Sequence, residues 1–169
     1  MLQTLFFANF VTALELSPDG IVSAVFLVSF LTNLLFFVRG KILVVEDNAD
    51  QLEIIRLVLE KEGFAIGTAA NGGDALVKTR SILPDLIILD LMLPDINGFD
   101  ICQTLRKDPR TASVPIIMLT GLSGELDRVA ALESGCNEFL KKPLKVEKLI
   151  SVVDKFLRSR RSSLAGQPG

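Results

Sequence analysis

An aspartate follows an unbroken apolar run in the stretch P-D-L-I-I-L-D-L-M-L-P-D-I-N-G, which extends from Pro84 to Gly98. The run Leu86–Leu89 indicates a central parallel strand covered on both faces, because such strands are apolar throughout rather than alternating. Asp90 would then lie at the carboxyl end of that strand, the edge at which open parallel sheets bind ligands. An aspartate that only begins a turn occupies the same position. On this stretch alone, both interpretations stay open.

Three other predicted strands also end in polar residues that could do chemistry. Glu46 and Asp47 end the first strand, Thr120 ends the fourth, and Lys142 ends the fifth. Carboxylates clustered at one edge build a hard-oxygen site that suits Mg²⁺, and without a cation they would raise one another's pKa values. Lys142 brings a compact positive charge that can approach Asp90 or an oxygen attached to it. Each signal is weak alone, and together they indicate a functional site.

Hydrophobic periodicity predicts the elements that position these residues. The predicted strands are Lys41–Glu46, Phe64–Ala70, Leu86–Leu89, Val114–Leu119 and Glu138–Lys141. The predicted helices are Ala49–Glu62, Gly73–Leu83, Phe99–Lys107, Gly124–Glu133 and Lys145–Arg158. Five strand–helix units with short connections predict an α/β fold, a doubly wound five-stranded parallel sheet with five helices on its two faces. Residues 159–169 are predicted to be a flexible tail.

Composition narrows the possible functions. The 169 residues leave room for one domain of ordinary size and an appendage of about forty residues. A net charge of -2 gives no global field that would draw the chain to nucleic acid. The chain has no histidine, which excludes histidine acid–base catalysis and a phosphohistidine of its own. Cys102 and Cys136 show no C-x-x-C spacing and are predicted to be buried thiols in a reducing compartment.

Residues 1–38 differ from the rest of the chain, because they contain no lysine or arginine. Ile21–Val38 is an 18-residue stretch without a charge, which reaches the lower limit of roughly 17 to 25 residues for a membrane-spanning helix. Arg39 directly after it would orient the following domain to the cytoplasm. Only Arg39 and Gly40 separate this stretch from the first strand, however, and two residues reach at most about 7 Å. A spanning helix and a mis-assigned start, which would remove residues 1–37 from the natural product, both stay open.

Four motifs together resemble the receiver domain of two-component response regulators, the family of CheY. They are K-I-L-V-V-E-D-N, P-D-L-I-I-L-D-L-M-L-P-D-I-N-G, P-I-I-M-L-T-G and F-L-K-K-P. The resemblance covers roughly Lys41–Arg158 and assigns residues 39–158 to one receiver domain. It also implies the strand order 2-1-3-4-5 of flavodoxin-like sheets.

The resemblance implies a role for each strand-end residue. Asp90 matches the phosphoacceptor, which takes a phosphoryl group from a histidine kinase or a phosphotransfer protein. Glu46 and Asp47 match the acidic pair that holds Mg²⁺ with Asp90 and the backbone carbonyl of Met92. Thr120 and Lys142 match the residues that bind phosphoryl oxygens, and the absent histidine fits because the donor histidine then belongs to a partner.

Three further positions match residues that act after phosphorylation. Phe139 matches the switch aromatic, which turns inward when Thr120 moves toward the phosphoryl group. Plain core filling is the alternative for Phe139. Met92 and Leu122 match positions that tune loss of the phosphoryl group, and both are apolar and unable to orient a water. The chain is therefore expected to dephosphorylate slowly.

The leading hypothesis is a stand-alone cytoplasmic receiver that signals through a phosphorylation-dependent protein contact and is not an enzyme. Its expected output face comprises the fourth helix, fifth strand and fifth helix, with no nucleic-acid contact; homodimerisation stays open. One alternative is a receiver scaffold that is held at a membrane or constitutively docked. Another is a phosphatase with an aspartyl nucleophile, which is disfavoured because Met92 stands where such enzymes carry their general acid.

Overall fold

The structure is a computed structural model that describes residues 39–121, 129–130 and 133–165. Within these ranges, no helix is long and apolar enough to cross a bilayer. The predicted N-terminal segment, with its candidate spanning helix at residues 21–38, lies outside the described residues. The same is true of Leu122 and of most of the helix predicted at Gly124–Glu133, of which residues 129, 130 and 133 are described and are helical.

Five parallel strands form one sheet in the order β2-β1-β3-β4-β5, which confirms the predicted fold class and strand order. The strands are β1 Lys41–Val45, β2 Ala65–Ala69, β3 Leu86–Asp90, β4 Ile116–Thr120 and β5 Glu138–Lys141. β3 includes Asp90, whereas β1 ends one residue before Glu46. Asp90 is therefore the last residue of its strand, and Glu46 directly follows the neighbouring strand.

The described residues form four long helices, α1 Ala49–Lys61, α2 Gly72–Ile82, α3 Gly98–Lys107 and α4 Val146–Ala165. Each of the first three follows an asparagine, Asn48, Asn71 or Asn97, whose side-chain oxygen accepts a hydrogen bond from a backbone N–H of the first turn. Asparagine is a preferred N-cap because this bond satisfies a donor without an intrahelical partner. These caps set the starts of the helices after β1, β2 and β3.

The last helix is longer than the sequence pattern predicts. It continues past Arg158 to Ala165, so the first seven residues of the predicted tail are helical. No glycine or proline occurs there before Gly166, and the serines, arginines, leucine and alanine in between all tolerate helical backbone.

Alternate residues of the central strands supply two separate cores. Leu86 and Ile88 of β3 pack on one face with buried residues of α1 and α4, such as Leu59 and Val153. Ile87 and Leu89 point to the other face and pack with residues of α2 and α3, which include Ala75, Ile101 and Leu105. Cys102 and Cys136 are buried free thiols, as predicted. The unbroken apolar run of β3 is thus explained by cover on both faces.

Candidate functional site

The carboxyl edge of the sheet gathers the polar residues that were predicted to meet there. Asp90 is the last residue of β3 and Thr120 the last of β4, while Glu46 and Lys142 follow β1 and β5 directly. Backbone hydrogen bonds extend the ladders to these positions, from Lys142 N to Thr120 O at 2.7 Å and from Glu46 N to Ala69 O at 3.0 Å. The polar residues are therefore held by the ends of the sheet.

Lys142 bridges two buried carboxylates. Its Nζ atom donates to Glu46 Oε2 at 2.7 Å and to Asp90 Oδ2 at 2.8 Å. Glu46 is 1% exposed and Asp90 is 4% exposed. Ionised groups that are buried this deeply need a partner of opposite charge. A single lysine, 96 and 52 residues away along the chain, supplies it to both.

Burial and pairing with an opposite charge shift the pKa values of Glu46 and Lys142 in opposite directions. Burial raises the pKa of Glu46, and the neighbouring Asp90 charge adds to the increase; the hydrogen bond from Lys142 offsets part of it. Burial alone would lower the pKa of Lys142, but hydrogen bonds to Asp90 and Glu46 outweigh it and raise that pKa. Lys142 is thus held as a cation between the two carboxylates.

Glu46 keeps one oxygen atom for a further positive partner. Its Oε1 atom is buried, and no hydrogen bond to it exists among the described residues. The backbone N–H of Asn48 lowers the pKa of Glu46 slightly without satisfying that atom. Oxygen atoms of Glu46, Asp47 and Asp90 lie within 4.8 Å of one another, and Asp47 is exposed at the solvent side. This donor set fits Mg²⁺, which prefers carboxylate oxygen and retains waters.

The loop after β3 is held to Asp90 by its backbone. Met92 N donates to Asp90 Oδ1 at 3.3 Å, while the Met92 side chain is 61% exposed. Gly98 N donates to Leu91 O at 2.9 Å, and a Cβ atom at Gly98 would lie 2.7 Å from Asp90 O. The closeness of the Asp90 backbone therefore requires a glycine at position 98.

Asp95, in the same loop, is a residue that the sequence pattern did not single out. Its carboxylate accepts from Gly72 N at 2.8 Å and from Gly73 N at 2.9 Å, and these bonds lower the pKa of Asp95. It thereby joins the loop after β3 to the first turn of α2, where a negative charge is favourable. The glycines at that helix start were visible in the sequence, but no local signal pairs them with a carboxylate 23 residues away.

Thr120 and Phe139, the two residues predicted to act as the switch, lie in the neighbouring strands β4 and β5. Thr120 is fully buried at the end of β4. Phe139 pairs in register with Met118 and is partly buried against the core beneath α2 and α3. The proposed inward turn of Phe139 stays a prediction.

The family model of the response regulator receiver domain matches residues 42–154. The chain belongs to this family. Members act as phosphoacceptor switches that histidine kinases phosphorylate, and they bind Mg²⁺ at an acidic pocket.

Similar curated proteins include longer regulators. The DNA-binding response regulator MtrA of Mycolicibacterium paratuberculosis is 43% identical over 120 residues, which are 71% of this chain and 52% of that protein. The phosphate regulon transcriptional regulatory protein PhoB of Rhizobium meliloti is 41% identical over 118 residues, 70% of this chain and 52% of its own length. The chain thus spans about half the length of the curated relatives it matches.

Solved receiver structures are similar over nearly their whole length. The signal receiver domain of a histidine kinase from Syntrophus aciditrophicus is 38% identical with a TM-score of 0.66, covering 71% of this chain and 91% of that one. The receiver domain of the sensor histidine kinase PA1611 of Pseudomonas aeruginosa is 30% identical with a TM-score of 0.66, covering 70% and 97%. That structure holds a magnesium ion in its active-site cleft.

Proposed function

We propose that Asp90 of this receiver accepts a phosphoryl group from a histidine of a partner kinase or phosphotransfer protein. The observation that carries the proposal is the bridge from Lys142 Nζ to Asp90 Oδ2 and Glu46 Oε2, at 2.8 and 2.7 Å. A lysine in this position neutralises the negative charge of the two carboxylates that it contacts, and it can also neutralise charge on an incoming phosphoryl oxygen. Residues 39–158 would form the receiver domain.

In the proposed transfer, an Asp90 carboxylate oxygen forms a bond to phosphorus. The bond from phosphorus to the donor imidazole nitrogen breaks, and its electron pair stays on that nitrogen. Lys142 and the Thr120 hydroxyl then bind phosphoryl oxygens. Glu46, Asp47, Asp90 and the Met92 carbonyl would hold Mg²⁺, which supplies positive charge toward the phosphoryl oxygens when bound.

The test is incubation with acetyl phosphate and Mg²⁺, followed by intact-mass analysis of the wild type and of Asp90→Ala. We expect a mass increase of one phosphoryl group in the wild type and none in the variant. An unmodified wild type would favour the alternative of a docked or membrane-held scaffold. Sustained turnover of a phosphate ester would favour the phosphatase alternative.

Slow loss of the phosphoryl group is part of the proposal. Met92 is largely exposed beside Asp90, and a thioether cannot orient an attacking water as an amide or carboxylate does. Met92→Gln should therefore shorten the lifetime of the phosphoprotein, which mass analysis can follow after acetyl phosphate is removed. A wild-type half-life of seconds would contradict the proposed role of Met92 and Leu122.

The proposed output is a protein contact that depends on phosphorylation, mediated by the face around β5 and α4. Phe139 lies in β5, the strand that pairs with the one ending at Thr120, and this supports its proposed role as the switch residue. The predicted lack of a nucleic-acid contact, the stand-alone organisation and the cytoplasmic location remain predictions, because the similar regulators named above are DNA-binding and only about half of each matches this chain.

A further inference from the structure

The loop between β3 and α3, residues 91–97, is tied to a helix that precedes β3 in the chain. Asp95 Oδ1 accepts a hydrogen bond from Gly72 N at 2.8 Å, and Asp95 Oδ2 accepts one from Gly73 N at 2.9 Å. Each carboxylate oxygen therefore binds one of two successive N–H groups in the first turn of α2. We refer to this pair of hydrogen bonds as the Asp95–α2 contact.

The start of α2 also packs closely against this loop. A Cβ atom at Gly72 would lie 2.8 Å from Ile96 Cβ and 3.2 Å from Asp95 Oδ1. These distances leave no room for a side chain at position 72, and glycine is present there although it is a poor helix former. The loop is therefore seated on α2 by close packing as well as by hydrogen bonds.

The backbone at Met92, three residues before Asp95, has weaker support of its own. Met92 N donates to Asp90 Oδ1 at 3.3 Å, which is longer than the roughly 2.7 to 3.2 Å of most N–H···O hydrogen bonds. Met92 is also 61% exposed, so packing does little to hold it. The position of the Met92 carbonyl therefore depends on how the rest of the loop is fixed.

We propose that Asp95 is a positioning residue of the metal site, which fixes the Met92 carbonyl by holding the loop to α2. The inference rests on the proposed function, because that carbonyl is a ligand only if the receiver binds Mg²⁺ as proposed. Residues that orient a metal ligand without touching the metal are known to affect metal affinity. The competing explanation is that Leu93 and Ile96, which pack partly buried against the core, hold the loop without Asp95.

Amide hydrogen exchange of the full chain without Mg²⁺ tests the link from Asp95 to Met92. Asp95→Asn keeps the shape of the side chain and one acceptor oxygen, but it loses the second oxygen and the charge. The amides of Gly72 and Gly73 should exchange faster in this variant, since Asp95 is their acceptor. The Met92 amide should also exchange at least about threefold faster, because local opening of the loop exposes it to solvent.

The affinity for Mg²⁺ is measured by NMR titration of the labelled full chain, followed at the amides of Asp47 and Met92. Asp95→Asn should bind Mg²⁺ about tenfold more weakly, the lower end of the usual effect of residues that orient a metal ligand. Excess Mg²⁺ should restore the variant's rate of phosphoryl uptake from acetyl phosphate to that of the wild type, because Asp95 acts through metal binding alone.

Two further variants separate the position of the loop from the charge of Asp95. Asp95→Glu keeps the charge and both oxygens but adds a methylene group that moves the loop away from α2, so it should weaken Mg²⁺ binding at least about threefold. Asp100→Asn removes the same charge from an exposed residue in the first turn of α3. It should change the affinity less than about twofold, because solvent and salt screen an exposed charge.

The exchange experiment decides between Asp95 and core packing. Faster exchange in the first turn of α2 together with unchanged exchange at Met92 would show that Leu93 and Ile96 hold the loop, and it would overturn the inference. Urea unfolding of each variant without Mg²⁺ verifies that the affinities compare folded chains.

The affinity and uptake measurements distinguish this inference from the proposed function. Wild-type affinity in Asp95→Glu, or equal losses in Asp95→Asn and Asp100→Asn, would overturn the inference in favour of a charge effect. Slow phosphoryl uptake by Asp95→Asn that excess Mg²⁺ does not restore would overturn it as well. Mg²⁺-dependent uptake by the wild type with unchanged affinity in Asp95→Asn would refute this inference alone, whereas a wild type that neither binds Mg²⁺ nor takes up a phosphoryl group would refute the proposed function.

Discussion

Lys142 is the residue on which the charge balance of the sheet edge depends. It is the cation that faces both Glu46 and Asp90, and their side chains are 1% and 6% exposed. Two ionised carboxylates this close and this buried repel each other and lose hydration. Lys142 therefore stabilises the fold as well as the proposed phosphoryl group.

Replacing Lys142 with alanine should destabilise the chain in the absence of Mg²⁺. Removal of one partner from a buried ion pair typically costs about 3 kcal/mol, because the remaining charge stays buried. Added Mg²⁺ should recover part of that loss, so the variant's free energy of unfolding should respond more strongly to Mg²⁺ than the wild type's. Urea unfolding with and without Mg²⁺ measures both effects.

Lys145→Ala is the matched control, since Lys145 is exposed and forms no ion pair with the described residues. It should unfold like the wild type at every Mg²⁺ concentration. Equal urea midpoints for Lys142→Ala and Lys145→Ala without Mg²⁺ would show that the bridge contributes nothing to stability.

Asp108, directly after α3, makes a contribution to the stability of the fold that depends on pH. Side-chain and backbone hydrogen bonds from Arg110 lower the pKa of Asp108 from 3.8 to about 2. A lowered folded-state pKa means that the stabilisation is present above 3.8 and is lost as the pH falls toward about 2.

Asp108→Asn should therefore flatten the acid limb of the stability profile. The wild type should lose more free energy of unfolding than the variant between pH 3.8 and about 2, and urea unfolding across that range measures the difference. Arg110→Gln should move the pKa of Asp108 upward in an NMR titration. An identical acid limb in wild type and Asp108→Asn would refute the assignment.

At the scale of elements, Gly98 determines how closely α3 approaches the end of β3. A Cβ atom there would lie 2.7 Å from Asp90 O and 2.9 Å from Leu91 Cα, both backbone atoms that cannot rotate away. Gly98→Ala should cost about 1 to 3 kcal/mol through this overpacking. Because the loop before α3 would move, phosphoryl uptake at Asp90 should slow as well.

Gly121→Ala provides the control on the same edge of the sheet, because nothing lies within 4 Å of a Cβ atom at Gly121. It should leave the urea midpoint unchanged. If both alanine variants unfold at the same urea concentration, the close approach between Gly98 and the Asp90 backbone does not contribute to the free energy of unfolding.

Most elements were predictable because their signals are local. The unbroken apolar run Leu86–Leu89 predicted the buried strand, and helical periodicity predicted α1 within one residue of its end. The extension of α4 to Ala165 was missed, because the serines after Arg158 and the glycines and proline that end the sequence indicated a frayed tail. The cap that Asp95 places on α2 was missed because it joins the loop after β3 to the start of a helix, and no sequence pattern connects the two.

At the scale of the whole molecule, the site depends on connections that span the chain. Convergence of Glu46, Asp90 and Lys142 at one edge follows from parallel strands alone, so it could be predicted once the strands were placed. The order β2-β1-β3-β4-β5 could not be read from periodicity and came from the family resemblance. The double contact of Lys142 could not be predicted, because the sequence does not show which of Glu46, Asp47 and Asp90 its ammonium group would contact.

The described residues of both cores lie after the apolar N-terminal stretch. The buried hydrophobic residues of the described chain run from Ile42 to Leu157. Helices cover both faces of the sheet, and the two core clusters draw on all five strands. We therefore expect residues 39–169 to fold as a receiver domain without the preceding segment.

Removal of residues 1–38 should leave the domain's stability and phosphoryl uptake unchanged, because the described residues of both cores and of the proposed site belong to the part that remains. Urea unfolding and acetyl phosphate uptake, each compared with the full chain, measure this. Loss of cooperative unfolding in the shortened chain would mean that the apolar segment belongs to the fold.

Intact-mass analysis of the native protein then distinguishes the two explanations of that segment. A mass lacking residues 1–37 would indicate translation from near Val38, whereas the full mass in a membrane fraction would support a spanning helix at residues 21–38.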